Sequence, residues 1–216
     1  MAIIVIFILV LILVLIIIQN LQQKKVIKML KGLILIDPLT RLANQRWLKN
    51  NMPRIIKGAI RQKKSLSLIM FDLDHLKELN DTYGHPAVNK YFQAFAGEMT
   101  RICSRPEDVV IRWGGDEFLV ILPDTDSTGA GILAEEMRKV VSDMNFFDKD
   151  EKTTISLGVF TTTDLTHEVI KNSSGGTIKD IYEKIIARAD SLLYQAKKAG
   201  RDKAVSAKAT LKEVLA

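Results

Sequence analysis

Two acidic side chains stand at the end of a segment with the pattern of a buried strand. Asp72 and Asp74 lie at the carboxyl end of the apolar, β-branched run 65–72. A carboxylate in a low-dielectric environment is costly unless a partner compensates its charge. Acids at such a strand end therefore favour a bound cation, although a solvated strand end is the ordinary alternative for this pair taken alone.

A second acidic pair follows two glycines. Gly114 and Gly115 separate two short strand-like segments and predict a tight hairpin, because glycine adopts the positive φ that such turns need. Asp116 and Glu117 place carboxylates at this turn. Adjacent strand residues point to opposite faces, so at most one of them can share a face with Asp72 unless the turn twists. Oxygen ligands of this kind suit Mg²⁺, and an ordinary polar turn is the alternative.

Two basic side chains lie near the end of a predicted helix over 178–199. Lys197 and Arg201 are four residues apart, so both can face one anion. Taken alone, however, this pair is better interpreted as a solvated helix end, which the helix dipole favours.

Helix-period and strand-like segments alternate from Asp37 onward. The predicted strands cover 65–72, 108–113, 117–122, 153–160 and 203–206. The predicted helices cover 47–64, 86–103, 127–145 and 178–199, and 172–176 is a polar, Gly-rich loop. This order predicts an α/β (α+β) fold with a central mixed or antiparallel sheet of about five strands, flanked by helices.

The amino-terminal run 2–18 is apolar and uncharged, which predicts one transmembrane helix over 1–19. No small-residue cleavage site follows it, so a cleaved signal peptide is the weaker interpretation. Four lysines follow, at positions 24, 25, 28 and 31, and favour the cytoplasm for the rest of the chain. The expected location is the inner membrane, with a single pass and the folded domain in the cytoplasm. A stalk helix is predicted over 20–35, as a dimerising connector or as a helix held against anionic lipid.

Charge and cysteine content exclude some functions. The formal net charge is +6, but 31 basic residues are interspersed with 25 acidic ones, so the sequence gives no indication of nucleic-acid binding. The single cysteine, Cys103, forms no internal disulfide and fits a reducing compartment.

The residues 114–118 spell Gly-Gly-Asp-Glu-Phe, and four further stretches occur in a matching order: 37–44, 71–85, 154–159 and 194–202. Together they resemble the GGDEF family of diguanylate cyclases, over residues 36–206, with 207–216 left as a tail. The resemblance implies a fold like that of nucleotidyl cyclases and polymerase palm domains. It also implies an enzyme that condenses two GTP into cyclic di-GMP plus pyrophosphate, as a homodimer in which each domain holds one GTP.

The resemblance carries specific roles. Asp72, the backbone carbonyl of Leu73 and Asp116 match the positions that hold Mg²⁺, for which Mn²⁺ is a substitute. Asp116 also matches the general base, with Glu117 close by as a second catalytic residue. Positions that bind substrate are matched by Asn80, His85, Asn89, Lys197 and Arg201: the first three contact the nucleotide, and the last two its terminal phosphates.

The chain departs from its family at two adjacent positions. Val88 stands where the family has glycine, and Asn89 where it has an aspartate that accepts two hydrogen bonds from guanine. Asparagine offers one acceptor and must also place an amino group. A mismatched buried polar group costs about 1–3 kcal/mol, so guanine affinity is expected to fall by roughly ten- to a hundredfold. Selectivity against adenine is weakened for the same reason.

Arg105 and Asp108 match the R-x-x-D site at which family members bind cyclic di-GMP as an inhibitor, with a surface ion pair as the alternative. The sequence therefore predicts a membrane-anchored diguanylate cyclase with product inhibition. Two other functions remain open. The first is a catalytically weak or inactive domain that binds cyclic di-GMP. The second is a cyclase of altered purine selectivity, because of Asn89.

Overall fold

The computed structural model describes residues 1–144, 146–147, 152–166 and 177–216, and for 2–5, 8, 10 and 27–33 it describes the backbone alone. The loop predicted over 172–176 and the last residue of the helix predicted over 127–145 lie outside these residues. The chain divides into two compact units, Met1–Leu35 and Ile36–Ala216.

The first unit is built on one helix, α1 (Ala2–Leu33), which ends where Ile34 becomes extended. The predicted span over 1–19 and the predicted stalk over 20–35 therefore share a single element. Crossing a bilayer takes about 20 predominantly apolar helical residues. Within the described part of the chain no helix combines the length and the apolarity that this requires, so the structure does not support the predicted transmembrane helix.

The second unit contains a six-stranded mixed sheet with the order β1-β3-β4-β2-β5-β6. Its strands are β1 (Ala43–Asn44), β2 (Leu66–Leu73), β3 (Val109–Gly114), β4 (Glu117–Pro123), β5 (Ile155–Thr163) and β6 (Ala204–Thr210). The outer pairs β1–β3 and β5–β6 are parallel, and the three inner pairs are antiparallel. All five predicted strands are present, and β1 adds a sixth.

The remaining helices are α2 (Gln45–Gln62), α3 (Leu76–Ile102), α4 (Ser127–Asp143), α5 (Ile178–Lys198) and α6 (Leu211–Leu215). The helix predicted to start at position 86 begins ten residues earlier, because α3 consists of two helical pieces joined at Gly84, where φ is 76° and ψ is 155°. The predicted tail is also structured: β6 continues to Thr210, and α6 buries Leu211 and Val214.

The helices cover both faces of the sheet. Residues of α3 and α4 pack on one face against Ile69, Phe71 and Leu73 of β2. Residues of α2, α5 and α6 pack on the other face against Leu66, Leu68 and Met70. Alternate residues of a strand point to opposite faces, and both faces are covered here. This explains why β2 is apolar almost throughout, and it directs the even-numbered residues of this strand toward the face that α5 covers.

A helix and the sheet approach each other closely at Gly158. A Cβ atom at this position would collide with the backbone of Ala189 and Leu193 in α5. Because backbone atoms cannot rotate away as a side chain does, β5 and α5 can lie this close only if residue 158 lacks a side chain.

We predict that Gly158→Ala lowers the free energy of unfolding by about 3 kcal/mol, since α5 must move off the sheet. Urea denaturation measures the change. The matched control is Gly97→Ala, in the interior of α3, where a Cβ would meet nothing within 4 Å. This control is expected to raise the free energy of unfolding by about 0.5–1 kcal/mol. Similar small effects of the two substitutions would contradict the close approach.

Candidate active site

The sheet register brings two of the predicted acids together. Asp72 on β2 lies directly opposite Glu117 on β4. Opposed residues of antiparallel strands project from the same face. Glu117 therefore shares with Asp72 the face that α5 covers. Of the two turn acids, Glu117 is the one that shares this face through regular strand pairing.

Asp116 comes close through the shape of the turn. The pairing of β3 with β4 shifts between Arg112 and Gly114, and Gly115 has a φ of 57°. Such an irregularity twists the hairpin locally. Asp116 acts electrostatically on Asp72, as Glu117 does, so both turn acids lie near the strand-end carboxylate.

One lysine stands among these acids. The Nζ atom of Lys197 on α5 lies 2.9 Å from Oδ2 of Asp72. Burial raises the pKa of Asp72 most, the hydrogen bond from Lys197 lowers it, and the charges of Asp116 and Glu117 raise it again, to about 6. The pKa of Glu117 is also raised, first by burial and then by Asp116 and Asp190, against the opposing charge of Lys197.

These shifts have a definite consequence for stability. The ordinary pKa of Asp72 is 3.8, and in the fold it is about 6, so the folded protein binds this proton more tightly than the unfolded chain does. The stabilising contribution is fully present below pH 3.8 and is lost as the pH rises through about 6. At neutral pH the ionised Asp72 therefore opposes folding, and a cation bound beside it would relieve that cost.

Asp74 has a different environment from Asp72. Its carboxylate accepts hydrogen bonds from Thr154 Oγ1 at 2.8 Å, Ser156 Oγ at 2.7 Å and the backbone N–H of Asp202 at 3.1 Å. Its side chain is only 1% exposed. The second acid of the strand end thus joins β2 to β5 and to the turn after α5, and its oxygens are already occupied by donors.

Arg201 lies in that turn. Its Nε atom is 4.0 Å from Oδ1 of Asp74, and its side chain is 47% exposed. Lys197 and Arg201 therefore lie beside consecutive carboxylates of one sheet face, Asp72 and Asp74. This arrangement agrees with two cations close enough to contact one polyanion.

The three residues predicted to contact the nucleotide lie on α3. The Asn80 Nδ2 group donates to the backbone oxygen of Leu76 at 3.1 Å, and His85 and Asn89 are exposed. Val88 is 2% exposed and belongs to the apolar core between the sheet, α3 and α4. The amide of Asn89 therefore has access to water, and the predicted mismatch costs free energy only when a ligand covers it.

The R-x-x-D pair lies at the far end of the β3–β4 hairpin from Gly115, about 20 Å away at the usual rise per residue. Arg105 donates to Thr125 Oγ1 at 2.7 Å and to the Pro123 oxygen at 3.3 Å. Among the described residues, Asp108 Oδ1 is buried without a hydrogen-bond partner. Burial raises the pKa of Asp108, and the charge of Arg105 partly offsets this rise.

The sequence profile of the GGDEF diguanylate cyclase domain matches residues 34–203. The chain belongs to the GGDEF family. It is 33% identical to diguanylate cyclase DgcP of Pseudomonas aeruginosa, over 78% of this chain and 23% of that protein. It is also 33% identical to diguanylate cyclase A of Treponema denticola, over 72% of this chain and 39% of that protein. The chain thus spans well under half the length of these relatives.

Solved structures agree with this assignment. Diguanylate cyclase SiaD of Pseudomonas aeruginosa, in complex with its activator SiaC, has a TM-score of 0.67 and 32% identity, covering 88% of this chain and 68% of that one. The GGDEF domain of DgcB from Caulobacter crescentus, in complex with c-di-GMP, has a TM-score of 0.66 and 26% identity. The match covers 80% of this chain and 95% of that one.

One connection of the GGDEF domain could not be read from its sequence. Arg112, directly before the glycine pair, donates to the backbone oxygen of Gly115 at 3.1 and 2.8 Å and to Asp37 Oδ1 at 3.0 Å. Burial alone would raise the pKa of Asp37, but hydrogen bonds from Thr40 and Arg112 outweigh it and the pKa is lowered. The opening motif of the domain is thereby tied to the hairpin turn. Both motifs were visible in the sequence, but their contact was not.

The donor set fits a hard divalent cation that keeps part of its water shell. Among the described residues, no group of three or more His, Cys, Asp or Glu side chains forms a complete metal cage. The predicted set of metal ligands is smaller than such a cage. It has two side chains, Asp72 and Asp116, and one backbone carbonyl, that of Leu73. Mg²⁺ is commonly held by one or two carboxylates and completed by water and substrate phosphates. Metal binding together with the nucleotide is therefore the arrangement that these GGDEF residues favour.

We predict opposite roles for the two strand-end acids in stability. Asp74→Ala is expected to lower the free energy of unfolding by about 3 kcal/mol, because it leaves one buried and two partly buried donors without their acceptor. Asp72→Ala is the matched control and is expected to leave it unchanged or to raise it, because the ionised Asp72 opposes folding at pH 7.5. Urea denaturation at pH 7.5 with a chelator present measures both. A larger loss from Asp72→Ala than from Asp74→Ala would contradict this division.

Proposed function

We propose that this GGDEF domain is a diguanylate cyclase, which condenses two GTP into cyclic di-GMP plus pyrophosphate as a homodimer. The observation that carries the proposal is the cluster of Asp72, Asp116 and Glu117, with Lys197 beside Asp72, in a domain of this family. Asp116 acts on both other acids, and Lys197 opposes the charges of Asp72 and Glu117, so the cluster keeps an excess of negative charge. A divalent cation with a triphosphate is the ligand that balances it.

Each half of the reaction is a phosphoryl transfer between two facing domains. The 3′-hydroxyl oxygen of one GTP forms a bond to the α-phosphorus of the other, the bond to pyrophosphate breaks, and Asp116 accepts the hydroxyl proton, with Glu117 beside it. Lys197 and Arg201 bind the terminal phosphates and hold the leaving pyrophosphate. The chemistry that Mg²⁺, or Mn²⁺ in its place, supplies when bound is neutralisation of phosphate charge and acidification of the attacking hydroxyl.

Base recognition is assigned to α3, where Asn80, His85 and Asn89 lie on the segment around the Gly84 kink. Asn80 offers both a donor and an acceptor, while Asn89 replaces a carboxylate with an amide. Weaker guanine binding, and with it weaker selection against adenine, follows from this replacement.

Location in the inner membrane, with a single pass and a cytoplasmic domain, stays a prediction. It rests on the apolar run 2–18 and the lysines after it. Fractionation of cells that express the full chain tests it, because recovery in the soluble fraction would exclude a membrane anchor.

A product-binding role is favoured by one specific observation. The buried Oδ1 atom of Asp108 has no partner among the described residues, and Arg105 lies near enough to act on this carboxylate. A guanine edge offers donors to such an acceptor, and the arginine offers donors to a phosphate. We propose that cyclic di-GMP binds here as an inhibitor. Tight binding of cyclic di-GMP by a chain that does not turn over GTP would make this the main function.

We predict that the full chain converts GTP to cyclic di-GMP only when Mg²⁺ is present, and that Asp116→Ala lowers the rate by roughly a hundredfold or more, through loss of the base and a metal ligand. Chromatography of the nucleotides measures the product. Asp143→Ala, which removes an exposed acid at the end of α4, is the control and should leave the rate unchanged. Equal rates for Asp116→Ala and the unmodified chain would exclude the proposed site.

We also predict that Asn89→Asp raises GTP affinity by roughly ten- to a hundredfold, because a second acceptor becomes available to guanine. Calorimetry with GTP and with ATP measures the change, and ATP affinity should not rise. Asn50→Asp, on the exposed surface of α2, controls for the added charge. If the unmodified chain makes adenine-containing products from mixed GTP and ATP, the protein is a cyclase of altered purine selectivity and the GTP-specific proposal is wrong.

A further inference from the structure

We infer that Arg138, on α4, is a positioning residue that holds the turn 200–202 in the shape in which Arg201 can bind the terminal phosphates. This inference rests on the proposed role of Arg201. Arg138 lies far from the acidic cluster in sequence and belongs to none of the motifs that identify the family.

The contacts of Arg138 are made at both ends of its guanidinium group. Its Nη1 atom donates to Asp202 Oδ1 at 2.7 Å. Its Nε and Nη2 atoms donate to the two carboxylate oxygens of Glu135, at 2.9 and 2.7 Å. The bidentate contact with Glu135, one turn earlier on α4, fixes the orientation of the planar group. The remaining edge is thereby directed at Asp202, which lies 64 residues further along the chain.

The turn that Arg138 contacts has an unusual backbone. Gly200, Arg201 and Asp202 have φ angles of 101°, 59° and 45°. Non-glycine residues adopt the left-handed region only at a cost, and two in succession persist when surrounding contacts determine them. An arginine proposed to bind substrate thus occupies a backbone conformation that it does not prefer.

Three contacts determine this conformation. The N–H of Arg201 donates to the Ala196 oxygen at 3.1 Å, at the end of α5. The N–H of Asp202 donates to Asp74 Oδ2 at 3.1 Å. The side chain of Asp202 is held by Arg138. The first two contacts hold the backbone of the turn against α5 and the end of β2. The contact with Arg138 holds the side chain of Asp202 against α4.

Charge gives Arg138 a second role at the same place. Asp202 is adjacent to Arg201, and its carboxylate would repel a triphosphate bound there. The ion pair with Arg138 compensates that charge, and with 21% exposure the arginine is shielded from solvent more than Asp202, at 42%. Arg138 therefore acts on phosphate binding through Asp202 and Arg201, while its own donors are engaged with Asp202 and Glu135.

The experiment compares GTP with GMP, which lacks the terminal phosphates. In calorimetry on the full chain, Arg138→Met is expected to weaken GTP binding roughly tenfold, as loss of a supporting contact often does, and GMP binding less than about twofold. Arg138→Lys, which keeps the charge, should recover part of the loss. Arg101→Met is the matched control, because Arg101 makes the same kind of contact, with Glu98 three residues earlier on α3, and GTP binding should not change.

A double-mutant cycle with Arg201→Ala decides whether Arg138 acts through Arg201. The double variant should bind GTP about as weakly as Arg201→Ala alone. Fully additive losses, or equal losses for GTP and GMP, would overturn the inference. If Arg201→Ala weakens GTP binding and Arg138→Met does not, only this inference fails. If Arg201→Ala has no effect, the proposed role of Arg201 fails with it. Should Arg138→Met not fold, Asp202→Asn answers the same question by the same comparison.

Discussion

The buried carboxylate of Asp74 is the contact on which the candidate site depends. Its oxygens accept hydrogen bonds from two hydroxyl groups at the start of β5 and from the backbone of the turn that follows α5. A buried charge is tolerated only when its hydrogen bonds are satisfied, so the three elements must come together at this point. The end of β2, and hence the position of Asp72, is fixed by the same requirement.

Asp72 shows what this fixation makes possible. Two residues before Asp74, it is held at the same sheet face, where Glu117 lies opposite and Asp116 and Lys197 are near. An acid free to move would turn to water and keep its ordinary pKa. Asp72 cannot do so, and its pKa rises to about 6. The fixed carboxylate of Asp74 thus holds Asp72 among like charges that Lys197 offsets only in part, and a strongly shifted pKa of this kind is typical of functional sites.

The sequence predicted the elements of the sheet better than the contacts between them. Apolar and β-branched runs marked five strands, because burial on both faces leaves a strong pattern. β1 was missed because two residues carry no periodicity, and α6 because five residues beyond a predicted strand resemble any short tail. The different environments of Asp72 and Asp74 could not be predicted, since both are acids at one strand end. Only the hydrogen-bond donors of elements distant in sequence distinguish them. The motif residues were found by resemblance, whereas the contact between Arg138 and Asp202 joins segments that no local pattern relates.

The two departures from the family motif on α3 differ in their physical consequences. A valine in place of glycine adds a side chain, and at position 88 this side chain is taken up by the apolar core against which α3 packs. Packing therefore absorbs the first departure, and it also fixes the rotation of the helix about its axis. With Val88 directed inward, the next residue must point elsewhere, and Asn89 is exposed. The second departure cannot be absorbed by the core, because an exposed amide meets only water or a ligand. The fold is thus insensitive to Asn89, and we expect this residue to matter only for a ligand that contacts its amide.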